Sequence, residues 1–151
     1  MIRVDFYHLQ TSPLEAALPK LLEKVLAQSS RAVVQASTTE RVEALNDRLW
    51  QIEGEAWLPH GSVKDGFAAD QPIWLTTEAE RPNEADILFL TDGADRPDKT
   101  GFSRCLDLFD GTDPQALTAA RTRWKICADA GCEMHYWQQT ERGGWQEKNL
   151  G

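Results

Sequence analysis

The residues best suited to chemistry in this sequence are three cations around one tryptophan late in the chain. Arg121, Arg123 and Lys125 are three of the sixteen Lys and Arg residues, and they flank Trp124. On a helix, Arg121 and Lys125 lie about 40° apart, and Trp124 lies about 60° to the other side of Arg121. Cations beside an aromatic side chain suit a short acidic peptide or a terminal carboxylate. The pattern is also typical of a solvated basic face with Trp124 in the core, so both interpretations stay open at this point.

Two tryptophans seven residues apart form a second candidate binding site. Trp50 and Trp57 lie in the segment WQIEGEAWLPH, between the end of a predicted helix and a long loop. Large aromatic side chains in such a setting are typical of protein-binding surfaces. The alternative is that the loop packs its aromatic residues back onto its own sheet.

Catalytic and cofactor sites are not favoured by the motifs. The turn after the first predicted strand reads HLQTSPLEA, without glycine, and neither GxGxxG nor GxxxxGK[ST] occurs in the chain. His8, His60 and His135 have no spacing to the cysteines or to the acidic loop at residues 91–101 that indicates a metal or acid–base site. We therefore expect no catalytic residue, metal or cofactor. The alternative is a small α/β enzyme or nucleotide-binding domain that uses the loop at 53–71, with His60 as acid or base.

Composition narrows the class of protein further. The 151 residues include 41% hydrophobic residues, which fits a single domain spanning 1–151, and the formal net charge of −8 opposes direct binding to a phosphate backbone. No apolar run approaches the roughly 18 to 20 residues of a membrane span. The three cysteines lack metal-type pairing, and the first residues lack a signal-peptide core, so we expect free thiols and a cytoplasmic protein.

Alternating strand and helix patterns position these residues. Short apolar runs predict strands, and amphipathic runs predict helices, so we expect a layered α/β fold with a mostly parallel sheet flanked by helices. The first helix is expected to begin either at Pro13 or only at Pro19, which interrupts its pattern. The connection at 77–86 is too short for a helical crossover, so the strands that it joins are antiparallel or not adjacent. The predicted strands are 4–8, 31–36, 72–77, 86–91, 104–109 and 133–138, and the predicted helices are 18–28, 38–51 and 114–130.

Five segments in this order resemble the chi subunit family of bacterial DNA polymerase III over nearly the whole chain. They are DFYHL, ALNDRLW, WLPHG, ADILFLT and AARTRWKICADAG. The resemblance implies a non-catalytic accessory subunit of the clamp-loader assembly that acts in DNA replication. It also implies an α/β fold related to nucleotide-binding domains but without a phosphate loop, which agrees with the glycine-free first turn.

The resemblance implies a first partner on the late helix. In the family, a basic and aromatic patch there holds the acidic C-terminal tail of single-stranded DNA-binding protein, and the matching positions here are Arg121, Trp124 and Lys125. Leu117 occupies a position where the family can carry a further basic residue, and we expect Arg123 to supply part of the missing charge. The protein would then reach single-stranded DNA through its coating protein, with little direct binding to nucleic acid.

The resemblance implies a second partner on another surface. There the family binds the psi subunit of the clamp loader, and Trp57 stands where a phenylalanine is also found in the family. An equivalent clamp-loader or helicase partner would occupy the same surface if psi is absent. The matching residues are Trp50, Trp57, Leu58, Pro59 and His60.

Overall fold

Within residues 2–51 and 59–149, which a computed structural model describes, eight strands form one open sheet. Their order across the sheet is β3-β4-β2-β5-β6-β1-β7-β8. All pairings are parallel except the antiparallel pairing of the last two strands. This confirms the predicted mostly parallel α/β sheet. The strands are β1 (Arg3–Leu9), β2 (Ala32–Gln35), β3 (His60–Gly61), β4 (Ile73–Thr76), β5 (Ile87–Thr91), β6 (Arg104–Asp110), β7 (Glu133–Gln139) and β8 (Trp145–Lys148).

Three α-helices cover the two faces of the sheet in the described part of the chain. They are α1 (Leu14–Ala27), α2 (Thr39–Trp50) and α3 (Pro114–Asp129). One apolar cluster joins α1 and α2 to side chains such as Val34 and Phe89, and a second joins α3 to Phe6 and Leu88. Successive strand residues point to opposite faces, so each buried strand contributes to both clusters. None of the described helices has the length and apolar character needed to cross a bilayer.

Helix α1 begins directly after Pro13 and continues through Pro19. Proline has no amide hydrogen, so the carbonyl of Glu15 loses the donor that a helix would normally supply. The Arg48 Nε of α2 lies 3.5 Å from this carbonyl oxygen. Burial of the apolar face, including Leu22, favours the continuous helix despite the missing bond.

The region after α2 differs from the predicted loop. Within 59–71, His60 and Gly61 form β3 beside β4, and Ala68–Asp70 form a short 3-10 helix. A two-residue strand carries no periodic signal, so the pattern could not reveal it. Phe67 in this loop is 77% exposed, which contradicts the alternative in which the loop packs its aromatic residues back onto its own sheet.

The connection between β4 and β5 joins strands that are not adjacent, which is one of the two arrangements predicted for it. These strands are not adjacent, because β2 lies between them and pairs in parallel with both. Asn83 lies fully buried in this connection, and its Nδ2 donates to the carbonyl oxygens of Ala32 and Gln71 at 3.1 and 2.9 Å. The short connection is thereby fastened to the sheet without a helix.

A buried carboxylate in β1 is surrounded by donors. The Asp5 carboxylate accepts hydrogen bonds from Arg104 Nε at 2.8 Å, Arg3 Nε at 3.0 Å and Trp137 Nε1 at 2.9 Å. Burial acts to raise the pKa of Asp5, but these hydrogen bonds outweigh it and leave the pKa below its ordinary value. Asp5 thus stays ionised and ties three neighbouring strands together.

Candidate peptide-binding pocket

Helix α3 has clear local signals at both ends. The Asp113 side chain accepts a hydrogen bond from the Gln115 amide at 3.0 Å, and Pro114 occupies the first turn, where its missing amide hydrogen costs nothing. Gly131, with a positive φ of 85°, follows the helix end. The helix therefore spans nearly the predicted residues and holds the basic patch in one rigid element.

A pocket of about 440 Å³ lies beside α3, at the face of the sheet that this helix covers. Arg121 and Trp124 line it from α3, His8 from β1, Tyr136 from β7 and Lys148 from β8. Leu117, Phe109 and Ala120 add apolar surface. The pocket thus combines cations with an aromatic and aliphatic lining, which suits a peptide end that has both a carboxylate and an apolar side chain.

Trp124 belongs to both the core and the pocket. Its ring is half-buried and lies edge-on to Phe6 and Tyr136, with ring centroids 5.3 and 5.7 Å apart. These contacts hold the indole in place, and its remaining surface lines the pocket. Trp124 therefore packs in the core, as one interpretation of the sequence predicts, and also lines a pocket, as the other requires.

Of the predicted cations, Arg121 and Lys125 are exposed, and Arg121 lines the pocket. Lys125 lies one turn further along α3 and is outside the lining of this pocket. Among the residues described, no carboxylate forms an ion pair with Arg121, Lys125 or Lys148. Their charges are available to a ligand.

The expectation that Arg123 adds to the basic patch is wrong. Its Nε and Nη2 donate to the two oxygens of Asp107 at 2.7 and 2.9 Å, and both side chains are buried. Position 123 lies about 200° around the helix from Arg121, so it faces the sheet when Arg121 faces solvent. The charge of Arg123 is therefore paired with Asp107 inside the protein and does not add to the exposed basic patch.

His8 and Tyr136 form a linked pair in the pocket. The His8 Nδ1 lies 2.6 Å from the Tyr136 hydroxyl oxygen. Burial, together with the nearby charge of Arg121, lowers the pKa of His8, while burial raises the pKa of Tyr136. Both groups are therefore neutral at pH 7, so the positive charge of the pocket comes from Arg121 and Lys148.

The second candidate surface is described in part. Trp50 ends α2 with 54% of its surface exposed, and its ring centroid lies 4.4 Å from that of His60. His60 is buried, with its Nε2 3.3 Å from the backbone oxygen of Asn46. His60 therefore packs against the Trp50 ring. Because it is buried, it is poorly placed for acid–base chemistry on a substrate that arrives from solvent. Pro59 is half-buried, and Trp57 and Leu58 lie outside the described residues.

A second pocket, where strands of the sheet end, tests the nucleotide-binding alternative. It measures about 760 Å³ and lies where β1 and β6 end, the usual ligand position in open α/β sheets. Its Arg41 is already paired with Glu15 at 2.6 Å and Asp92 at 2.8 Å. Asp110 and Asp113 add further negative charge, which disfavours a phosphate. No metal-binding group of three or more His, Cys, Asp or Glu occurs within residues 2–51 and 59–149.

Sequence reasoning missed Lys148 at the pocket and the exposed Val63. Lys148 lies on β8, which was not predicted, although the alternation in WQEK is a weak strand signal. Val63 and Phe67 are exposed apolar side chains that follow β3. Phe67 also has a positive φ of 54°, which is rare for a bulky residue.

Comparison with solved structures supports the fold. The structure of the C-terminal domain of the DEAD-box protein Dbp5 matches with a TM-score of 0.57, over 91% of this chain and 90% of that chain. The identity is 11%, so the likeness concerns the fold alone.

Comparison with known sequences identifies the family. A probable DNA polymerase III subunit chi from Rickettsia prowazekii is 30% identical over 95 residues, which make up 63% of this chain and 58% of that relative. The match thus spans little more than half of that relative. The DNA polymerase III subunit chi of Pseudomonas aeruginosa is 27% identical over 134 residues, 87% of this chain and 92% of that protein. Residues 1–135 match the family model described as DNA polymerase III chi subunit, HolC. The chain therefore belongs to the DNA polymerase III chi subunit family.

Proposed function

We propose that this chain is a non-catalytic accessory subunit that links the clamp loader of a bacterial replicative polymerase to single-stranded DNA-binding protein in the cytoplasm. The pocket beside α3 carries the proposal. It places Arg121, which forms no ion pair within residues 2–51 and 59–149, next to the aromatic surface of Trp124. An acidic protein tail that ends in an apolar residue presents the complementary groups.

Electrostatics favours a tail over DNA itself. The chain has a net charge of −8, so a long phosphate backbone would meet repulsion beyond the basic patch. A short peptide end can bind between Arg121 and Trp124, and its upstream carboxylates can approach Lys125. Exposed ion pairs contribute only about 0 to 1 kcal/mol each. In a complex of micromolar affinity, which corresponds to about 8 kcal/mol, most of the binding free energy would therefore come from the apolar and aromatic lining of the pocket.

The proposed second contact is the psi subunit or an equivalent clamp-loader partner. Trp50 supports it, because an exposed tryptophan held in place by a buried His60 is a preorganised apolar anchor. We assign the same partner to Trp57, Leu58 and Pro59. The two surfaces involve different elements, so both partners can bind together.

The test is a fluorescence-anisotropy titration of a labelled peptide that copies the C-terminal tail of the cognate single-stranded DNA-binding protein. Arg121→Ala is compared with the wild type at low and high salt. Arg142→Ala is the matched control, because Arg142 is exposed on the turn between β7 and β8 and does not line the pocket. We expect binding that weakens with salt and with Arg121→Ala only. Absence of binding by the wild type at low salt would overturn the proposal.

A further inference from the structure

The pocket beside α3 receives only one cation from that helix. Leu117, one turn before Arg121, is apolar, and Arg123 is bonded to Asp107 in the core. Lys125 does not line the pocket. A second positive charge inside the pocket must therefore come from another element.

Strand β8 supplies that charge. Its residue Lys148 lies directly opposite Tyr136 in the antiparallel pairing with β7. Residues directly opposite each other point to the same face of a sheet. Tyr136 faces α3, since its ring packs against Trp124 at 5.7 Å. The register thus brings Lys148 to the same face, and Lys148 lines the pocket with Arg121.

We propose that Lys148 is the second cation of this pocket and that it contacts the carboxylates of an acidic, carboxyl-terminal peptide together with Arg121. The inference rests on the proposed function. It extends that function to β8, which lies beyond residues 1–135, the part of the chain that matches the family model. Lys148 would thus supply the positive charge that a basic side chain at position 117, where this chain has leucine, would otherwise bring to the pocket.

The anchoring of β8 supports a defined position for this lysine. Trp145 at the start of the strand packs edge-on against Tyr7, with ring centroids 4.8 Å apart. Near its end, the Glu147 carboxylate lies 2.6 Å from His135 Nδ1. Lys148 itself forms no ion pair with any described residue and is exposed. Its backbone is held while its ammonium group stays available.

The charges around the pocket also indicate the direction of the peptide. On the far side of Lys148, a second depression is lined by Glu147 and His135, and Glu133 lies 2.8 Å from the other ring nitrogen of His135. The hydrogen bonds to Glu133 and Glu147 raise the pKa of His135, and its charge can offset only one of the two carboxylates, so the cluster keeps a net negative charge that repels an acidic chain. The upstream residues of the peptide therefore run along α3 towards Lys125, and Lys148 closes the pocket at the opposite end.

The test uses the full chain and the labelled tail peptide at low salt. Lys148→Gln keeps most of the side-chain length and removes the charge, and Lys24→Gln on the exposed side of α1 is the matched control. We expect Lys148→Gln to weaken binding about two- to fivefold and the control to leave it unchanged. Because Lys148 has no ion pair with a described residue to lose, the melting temperature should stay within the experimental error.

Relocating the charge provides the second arm. The double variant Lys148→Gln/Leu117→Lys places a lysine in the same pocket from α3, and we expect it to recover most of the lost affinity. The inference is overturned if Lys148→Gln binds like the wild type while Arg121→Ala binds more weakly, and in that case the proposed function stands. If the wild type does not bind, the proposed function fails and this inference fails with it.

Discussion

Removal of the Arg123 guanidinium is expected to destabilise the fold and to leave the affinity for the tail peptide nearly unchanged. The Arg123 and Asp107 side chains are only 10% and 4% exposed and are joined by two hydrogen bonds. In Arg123→Met, the Asp107 carboxylate would stay buried without its partner. Loss of one partner of a buried pair costs about 3 to 5 kcal/mol. That is a large share of the roughly 5 to 15 kcal/mol that holds a domain folded.

The measurement is urea unfolding followed by tryptophan fluorescence, with a thermal melt as a check. At about 2 to 4 °C per kcal/mol for a chain of this size, the melting temperature should fall by about 6 to 20 °C. The double variant Arg123→Met/Asp107→Leu should recover most of the stability, because no charge is left buried. Arg123→Lys keeps a charge but loses the paired donor geometry, so an intermediate loss is expected.

The pH dependence of the same variant follows from the unpaired carboxyl. Burial raises the pKa of Asp107, and loss of Arg123 would raise it further, so the folded variant binds a proton that the unfolded chain releases. The stability deficit should therefore shrink as the pH falls towards the ordinary range of an aspartate. A variant that unfolds like the wild type but no longer binds the tail peptide would refute this reasoning, because Arg123 would then act in the pocket.

Three other predictions concern acid stability, ligand protonation and the separation of the two surfaces. The hydrogen bonds to Asp5 leave its pKa in the folded protein below the ordinary value of an aspartate. The stabilisation that Asp5 provides is therefore complete above the ordinary pKa and is lost as the pH falls through the pKa of the folded protein. Asp5→Asn should make the urea midpoint of unfolding less dependent on pH in acid. Burial and Arg121 lower the pKa of His8, whereas a bound carboxylate favours the charged form of His8. Calorimetric titrations should therefore show tighter peptide binding as the pH falls from about 8 to about 5.5. His8→Gln should remove this pH dependence. Trp50→Ala should weaken binding of the psi-type partner and spare the tail peptide, with the reverse for Arg121→Ala; loss of both interactions from either change in a folded protein would contradict two separate surfaces.

Most of the architecture could be predicted from the amino-acid sequence, because the relevant signals are local. Helix α3 was predicted to within a residue at its end, since the Asp113 cap, Pro114 and Gly131 are all contained in one segment. The core strands were likewise found from short apolar runs bounded by turn residues. The chemistry at Arg121 and Trp124 could also be proposed from spacing, because a helix places residues three and four apart side by side.

Which of these side chains can contact a ligand depends on the packing of distant segments. Spacing does not say which side of α3 faces the sheet, so only the packed helix distinguishes the buried Arg123 from the exposed Arg121. Likewise, Lys148 reaches the pocket through the register of β8 against β7, a pairing between distant residues with little local signal. Phe67 is apolar and yet exposed, because residue type does not say whether another segment packs against the side chain. Periodicity reports how a segment folds, whereas side-chain environment depends on which other segments pack against it.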